Sequence, residues 1–250
     1  MKIAVLIIAY NEERYIGACI KQWEGLVDKV VVLLSAKPWN GVPSEADRTE
    51  MIARKMGAEV IIQDWRTEAE QRSWGCARLY DYDFVIINDA DEFYTREDRV
   101  KIIEHLEKNK NEPCFRCPNM VTYWKTPEYI FDPPDGHKPI IVVNPKKVKF
   151  YEHRQPMPVE ETKLQEYQPI IPVTMHHFSW VRSDKEVKEK IEHYSHADII
   201  KPNWYEDVWL KWEPNMDDIR PYGIERSRAV YNPAPKEITN LIEQCQQSLL

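Results

Sequence analysis

Glycine is scarce in this chain, with only seven in 250 residues. Neither a G-x-G-x-x-G nor a P-loop pattern occurs, which excludes a glycine-rich backbone cradle for phosphate. Any nucleotide diphosphate has to be neutralised by a metal and basic side chains instead. No apolar run approaches the roughly 18 residues of a membrane span, and no clear basic amphipathic helix supports peripheral membrane contact. Five cysteines, an odd number, do not make a disulfide framework and point to a reducing, cytoplasmic location. Cys114 and Cys117 form a lone C-x-x-C, and without a second pair a zinc knuckle is not expected. Positive charge is not in surplus: the net charge is −7, which disfavours a polyanionic partner. The local exception is Lys146, Lys147, Lys149, His153 and Arg154, either a solvated strand edge or a surface that meets a phosphate-bearing substrate. Internal repeats and low-complexity segments are lacking too.

What is present begins with a 43% hydrophobic content, enough for one large α/β domain or one domain with a helical appendage. Lys2 precedes an apolar run that ends after about eight residues at Tyr10-Asn11-Glu12-Glu13, with no small-residue cleavage site; it reads as a first strand and not as a signal peptide. Ile3 to Ala9, Lys29 to Leu34, Glu59 to Ile62 and Phe84 to Ile87 read as buried strands. Helical spacing fills the gaps at Glu12 to Trp23, Asp47 to Met56 and Thr67 to Leu79. This βαβαβαβ order predicts a doubly wound, mostly parallel sheet with right-handed crossovers. Arg96 to Lys108 is an amphipathic helix. Then the texture changes: strand-like pieces at Phe115 to Tyr123, Ile140 to Val143, Val148 to Tyr151 and Val173 to Phe178 are separated by proline-rich loops. From Ser183 the chain reads as a helical extension rich in tryptophan.

Asn88-Asp89-Ala90-Asp91-Glu92 directly follows the fourth strand. Open α/β sheets bind ligands beyond the carboxyl ends of their strands. Close carboxylates repel one another, and a divalent cation makes the arrangement favourable. Oxygen ligands of this kind suit Mg²⁺ or Mn²⁺ rather than zinc. The plainer alternative is a charged lead-in to the next helix, with Thr95 and Asp98 forming a capping box.

In order, the segments Ala9-Tyr10-Asn11-Glu12-Glu13, Asp47-Arg48-Thr49, Met56-Gly57-Ala58, Gln71-Arg72, Asp89-Ala90-Asp91-Glu92 and His177-Phe178-Ser179-Trp180 resemble glycosyltransferase family 2, the inverting nucleotide-sugar transferases of GT-A fold. The resemblance spans roughly residues 1–182. It implies a nucleotide-sugar binding half (1–112), an acceptor half (113–182) and, beyond it, an extension (183–250). It also implies a UDP- or similar nucleotide-sugar donor and Mn²⁺ or Mg²⁺. Carried over residue by residue, Ala9, Tyr10, Asn11 and Glu12 would border the nucleoside, Arg72 the diphosphate or base, and Asp89 with Ala90 the ribose side. Asp91 and Asp89 would hold the metal, completed by His177; alternation along the strand sends His176 to the opposite face. The sequence departs from the family where an aspartate usually ends the second strand. Leu34-Ser35-Ala36-Lys37-Pro38-Trp39 stands there, so Ser35 or Asp64 would have to substitute, with Lys37 and Trp39 as alternative donor-loop residues.

Inversion needs a carboxylate to deprotonate the acceptor hydroxyl. Glu152, Asp135, Glu160 and Glu161 are the candidates in the second half. Trp124, Trp180, Trp204, Trp209 and Trp212 are either sugar-stacking platforms or core anchors, and the segment from Trp204 to Trp212 is alternatively a homodimer contact. The leading reading is a metal-dependent glycosyltransferase whose hydroxyl acceptor is a glycan, lipid-linked sugar, protein, small molecule or modified nucleobase. A nucleotidyltransferase and a non-catalytic nucleotide-sugar binding module are the competing classes.

Overall fold

A computed structural model describes residues 1–40, 43–159, 164, 168–193, 197–223 and 226–248. The first half runs β1 (Ile3–Ala9), α1 (Ile16–Lys21), β2 (Lys29–Ser35), α2 (Thr49–Lys55), β3 (Glu59–Gln63), α3 (Glu68–Arg78), β4 (Phe84–Asp89), β5 (Glu92–Phe93) and α4 (Arg96–Lys108). Then come β6 (Cys114–Arg116), β7 (Asn119–Trp124), β8 (Thr126–Asp132), β9 (Ile140–Val143), β10 (Val148–Glu152) and β11 (Gln155–Pro158). The last elements are β12 (Thr174–Trp180), α5 (Asp184–His193), β13 (Arg228–Tyr231) and α6 (Lys236–Gln247).

The main sheet has the order β3-β2-β1-β4-β9-β6. Its first four strands are parallel, and β9 and β6 extend it antiparallel. This is the α/β, mostly parallel sheet that the strand–helix alternation predicts. Period-2 side-chain alternation sorts β1 between two cores. Ile3, Val5, Ile7 and Ala9 pack with Ile16, Cys19, Ile20 and Trp23 around α1, and with Ile52 of α2 and Ile102 of α4. Ala4, Leu6 and Ile8 face the other way, onto Ala69 and Cys76 of α3 and onto Val148 and Phe150 of β10. The order reverses between β1 and β4, which opens a crevice at their carboxyl ends, the usual ligand position in such sheets.

A second sheet, β13-β8-β7-β12-β5, contributes Met120, His177 and Ser179 to the lining of that crevice. Two sequence expectations change here. Phe115 to Tyr123 is not one strand: Pro118 separates β6 in the main sheet from β7 in the second. Residues 183–250 are not a purely helical appendage, because β13 pairs with β8 and α6 contributes Ile238, Ile242 and Cys245 to the core around α1. All five cysteines are buried free thiols. Among the described residues, no helix is long and apolar enough to cross a membrane.

The tryptophans form a third core. Trp124, Trp180, Trp204 and Trp209 are buried together with Phe131 and Val187, and the rings of Trp124 and Trp209 meet edge to face at 5.0 Å. Trp204 and Trp209 are each 1% exposed. They are consumed inside the chain's own core, so neither sugar stacking nor a homodimer contact through these rings is supported.

Helix α3 lies close on the sheet at Gly75, where a Cβ would sit 2.6 Å from both Leu6 methyls and 2.9 Å from Leu33 Cδ1. Both leucines are buried, so their methyls can make room only by repacking the core. Gly75→Val is therefore expected to lose about 1–3 kcal/mol of stability by overpacking, seen as a lower urea midpoint; an unchanged midpoint would contradict this close approach.

Candidate functional site

The crevice is a cleft of about 1140 Å³. Its floor is the turn from β4 into β5. Asn88 is buried, and its amide donates to the carbonyls of Asp89 at 2.7 Å and Glu92 at 3.0 Å. Gln22 adds a second bond to the Glu92 carbonyl at 3.0 Å, and the Asp89 N–H donates to Glu92 Oε2 at 2.9 Å. These bonds fix the turn from which Asp89 and Asp91 project. Pairing of β5 with β12 sets His177 opposite Glu92, and the Phe178 N–H donates to the Asp91 carbonyl at 2.8 Å. His177 thereby reaches the cleft, while His176 bonds Tyr123 at 2.8 Å away from it. Thr95 does cap the following helix, accepting from the Asp98 N–H at 3.1 Å.

The two aspartates face different cations. Arg72 Nη2 donates to both Asp89 carboxylate oxygens at 2.9 Å, and Arg154 Nη2 lies 3.0 Å from Asp89 Oδ2. Arg154 also meets Glu92 at 2.7 Å, and Arg72 meets Glu68 at 2.8 Å. Asp91 Oδ2 receives Arg182 at 3.3 Å and Lys190 at 3.4 Å, while its Oδ1 lies 3.5 Å from His177 Nε2. Arg182 is itself held by both oxygens of Glu12, at 2.8 and 2.7 Å. Five carboxylates (Glu12, Glu68, Asp89, Asp91, Glu92) thus meet four permanent cations (Arg72, Arg154, Arg182, Lys190). The repulsion that the sequence assigned to a metal is balanced here largely by the protein's own side chains.

Burial opposes ionisation throughout the cluster, and the cations decide which acids stay charged. Burial works against the Asp91 carboxylate, but Lys190, His177 and Arg182 hold its carboxyl well below the usual range. Burial dominates at Glu12 and Glu92 and raises both, although Arg182 and Arg154 pull the other way. Burial would lower His177, yet the charge and hydrogen bond of Asp91 raise it. His176, by contrast, is pushed down to about 4 by burial.

Of the metal set expected from the sequence, only Asp91 and His177 come together; Asp89 turns to the arginines. Among the described residues, no group of three or more His, Cys, Asp or Glu is disposed to hold a metal ion. One carboxylate and one imidazole still fit Mn²⁺ or Mg²⁺ in donor chemistry, since such ions are commonly held by one or two protein groups plus substrate phosphates.

The rim agrees with the sequence reading in part. Ala9, Tyr10, Asn11, Glu12, Arg72, Asp89, Ala90 and Trp39 all line the cleft. Tyr10 and Asn11 bind Ser44, at 3.2 and 2.9 Å, and Asn11 adopts the left-handed φ of 50° that asparagine tolerates. Ser35 and Asp64 are not among the lining residues. The Ser35 hydroxyl donates to the Lys37 carbonyl at 2.7 Å, and Asp64 is exposed and paired with Lys37 at 2.9 Å. Strand alternation and a local turn direct both elsewhere. Asp135 and Glu152 line the cleft; Glu160 and Glu161 lie outside the described residues. Sequence reasoning did not single out Glu68, Arg182 or Lys190, which reach the site from segments far apart in the chain. For Arg154 the signal was the basic cluster around it.

The site is an acid–cation cleft at the switch point of a mostly parallel α/β sheet. No family model matches the chain. It is 32% identical over 96 residues to an uncharacterized glycosyltransferase of Rickettsia conorii, covering 38% of this chain and 31% of that protein. A Rickettsia bellii glycosyltransferase is 28% identical over 111 residues, covering 44% and 34%. The matched region therefore spans about a third of the length of these curated relatives. Among solved structures, glucosyl-3-phosphoglycerate synthase from Mycobacterium tuberculosis, in complex with Mn²⁺, UDP and glucosyl-3-phosphoglycerate, overlays with a TM-score of 0.37 at 21% identity, over 49% of this chain and 44% of that one. A cytidylyltransferase from Leptospira borgpetersenii overlays at 0.39 and 16%, over 58% and 61%.

One wall of the cleft, α5, is pinned by Arg14, whose guanidinium donates to Glu186 at 2.7 and 2.6 Å. Burial works against the Glu186 carboxylate, but bonds from Arg14 and Ser183 outweigh it and bring it from 4.5 to about 2. A depressed carboxyl stabilises the fold above its unfolded value and loses that contribution as pH falls through its folded value. The stability gap between wild type and Arg14→Gln should be present at neutral pH and narrow steadily as pH is lowered from 4.5 toward about 2. Urea denaturation across that range measures it, and a constant gap would contradict the pairing.

Proposed function

We propose that this chain is an inverting glycosyltransferase that moves a sugar from a nucleotide-sugar donor, a UDP-sugar, to a hydroxyl acceptor with Mn²⁺ or Mg²⁺. The carrying observation is the cluster of buried cations facing carboxylates at the mouth of β1 and β4. Arg72 Nε and Arg154 Nη1 are buried donors without a hydrogen-bond partner among the described residues, and both side chains line the cleft. Spare cationic N–H groups in a glycine-poor site are what a diphosphate requires. The similarity to proteins named glycosyltransferases supports the reaction class.

In this reading Tyr10 and Trp39 border the nucleoside, and Arg72 and Arg154 bind the phosphates. Asp91 and His177 hold the metal, which when bound neutralises charge on the departing nucleoside diphosphate. Proton removal from the acceptor falls to a carboxylate on the opposite rim. Asp135 is paired with Arg220 at 3.6 Å, a contact that weakens a base. Glu152 stands exposed at the rim, at the end of β10, and is the better assignment. The acidic Tyr10-Asn11-Glu12-Glu13 segment speaks against a nucleotidyltransferase, which would carry a glycine-rich, basic loop there.

Incubation with Mn²⁺ and a panel of nucleotide sugars should release nucleoside diphosphate from one donor. Asp91→Asn should reduce that release by about 10²-fold or more. Glu152→Gln should lower kcat by about 10²- to 10⁴-fold while donor affinity stays within a few-fold. Pyrophosphate release from a nucleoside triphosphate would instead support a nucleotidyltransferase, and donor binding with no release would support a binding module.

A further inference from the structure

At the end of the cleft formed by β1 and the loop from β2 to α2, polar side chains are already committed to one another. The Tyr10 hydroxyl accepts from the Ser44 N–H at 3.0 Å and pairs with the Ser44 hydroxyl at 3.2 Å. The Asn11 amide donates to Ser44 Oγ and to the Glu45 carbonyl, each at 2.9 Å, and its oxygen accepts from the Asp47 N–H at 3.3 Å. Asp47 in turn takes the N–H groups of Thr49 at 2.8 Å and Glu13 at 2.9 Å. Ser35 and Asp64 are tied to Lys37 outside the lining. Glu45 is exposed at the rim, where a bond to a ligand replaces one to water and discriminates weakly.

Trp39 completes this end of the cleft. It is half-buried and packs against the core that holds Leu33, Trp65 and Cys76. Its single polar group, the indole N–H, can only donate, and it donates to Gln71 Oε1 at 3.0 Å. Gln71 is fully buried, and its amide nitrogen donates to the Leu33 carbonyl at 2.7 Å. One buried amide therefore ties the Trp39 ring to β2 and to α3 at once. With its N–H spent on Gln71, Trp39 offers the cleft ring surface alone. The next residue of α3 is Arg72, which binds Asp89 at 2.9 Å, so the same helical turn sets the ring and a cation of the charged cluster.

Resting on the glycosyltransferase reading above, we propose that the donor's base stacks on the Trp39 ring, that Gln71 is the positioning residue for this ring, and that the site in consequence tolerates exchange of the base. Every base has a π face, so stacking binds without reading a hydrogen-bonding edge. A site built to hydrogen-bond its ligand strongly rejects an analogue that lacks the bonding group. Here Tyr10, Asn11, Ser44 and Asp47 are spent on local partners, and Glu45 faces water. Selection of the donor then falls to its diphosphate and its sugar.

The test is titration calorimetry of the full chain with UDP, CDP, GDP, ADP and pyrophosphate, all with Mn²⁺, for wild type, Trp39→Ala, Trp39→Phe, Gln71→Met and the Trp39→Phe/Gln71→Met double variant. Wild type should bind the four nucleotides within about tenfold of one another and each more tightly than pyrophosphate. Trp39→Ala should weaken all four by about 5- to 100-fold and leave pyrophosphate, which has no base, unchanged. Trp39→Phe and Gln71→Met delete the same bond, so each should weaken the nucleotides several-fold and the double variant no further. Pyrophosphate affinity shows whether α3 and Arg72 have stayed in place. A preference of about 10²-fold or more for one base in wild type overturns base tolerance, and full nucleotide affinity in Trp39→Ala overturns the platform. Gln71→Met that leaves nucleotides unaffected, that weakens pyrophosphate equally, or that adds in full to Trp39→Phe overturns the positioning role. Pyrophosphate binding that no base improves overturns the stacking alone, whereas no binding of pyrophosphate or of any nucleotide overturns the diphosphate reading beneath it.

Discussion

Buried carboxylates at the end of β4 require cations within a few ångströms, and much of the molecule around the cleft serves to supply them. A buried ion pair is not favourable by itself, because desolvation offsets most of the attraction. It persists where geometry is tightly fixed and the remaining hydrogen bonds are met. Here Arg72 comes from α3, Arg154 from the turn between β10 and β11, Arg182 from the end of β12 and Lys190 from α5. The α3–β10 packing, the β5–β12 pairing and the Arg14–Glu186 bond are each conditions for that arrangement. A cluster built in this way is held from several elements at once, each cation paired with a carboxylate.

The parallel half of the fold was legible in the sequence because its signals are local. Continuous apolar runs at Ile3 to Ala9 and Lys29 to Leu34, short and rich in β-branched residues, read as strands covered on both faces, and Thr67 and Thr95 each cap the helix they precede. The second sheet was much less legible. β11 and β13 are four-residue strands at sheet edges, and β13 finds its partner β8 only far along the chain. Pro118 interrupts a stretch that otherwise reads as one strand.

The site divided along the same line. Asp89, Asp91, Tyr10 and Asn11 sit at strand ends, and their place follows from the strands themselves. Ser35 and Asp64 also follow strands, yet they turn away because β2 and β3 lie farther from the switch point and local bonds to Lys37 hold them. Arg182 and Lys190 carry no motif; only the packing of β12 and α5 over the cleft brings them to Asp91. The tryptophans show the converse. Their composition suggested binding, but ring-to-ring packing at Trp124, Trp204 and Trp209 consumes them as a core.

In the proposed reading the cleft is a charge-balanced receptor for a diphosphate, whatever acceptor stands beyond it. Titration calorimetry with UDP and with uridine, in the presence of Mn²⁺, separates that idea from a site that reads only the nucleoside. UDP should bind at least about 10²-fold more tightly than uridine, a difference of about 2.7 kcal/mol, and Arg154→Met should remove much of that advantage. Equal affinities for the two ligands would contradict it.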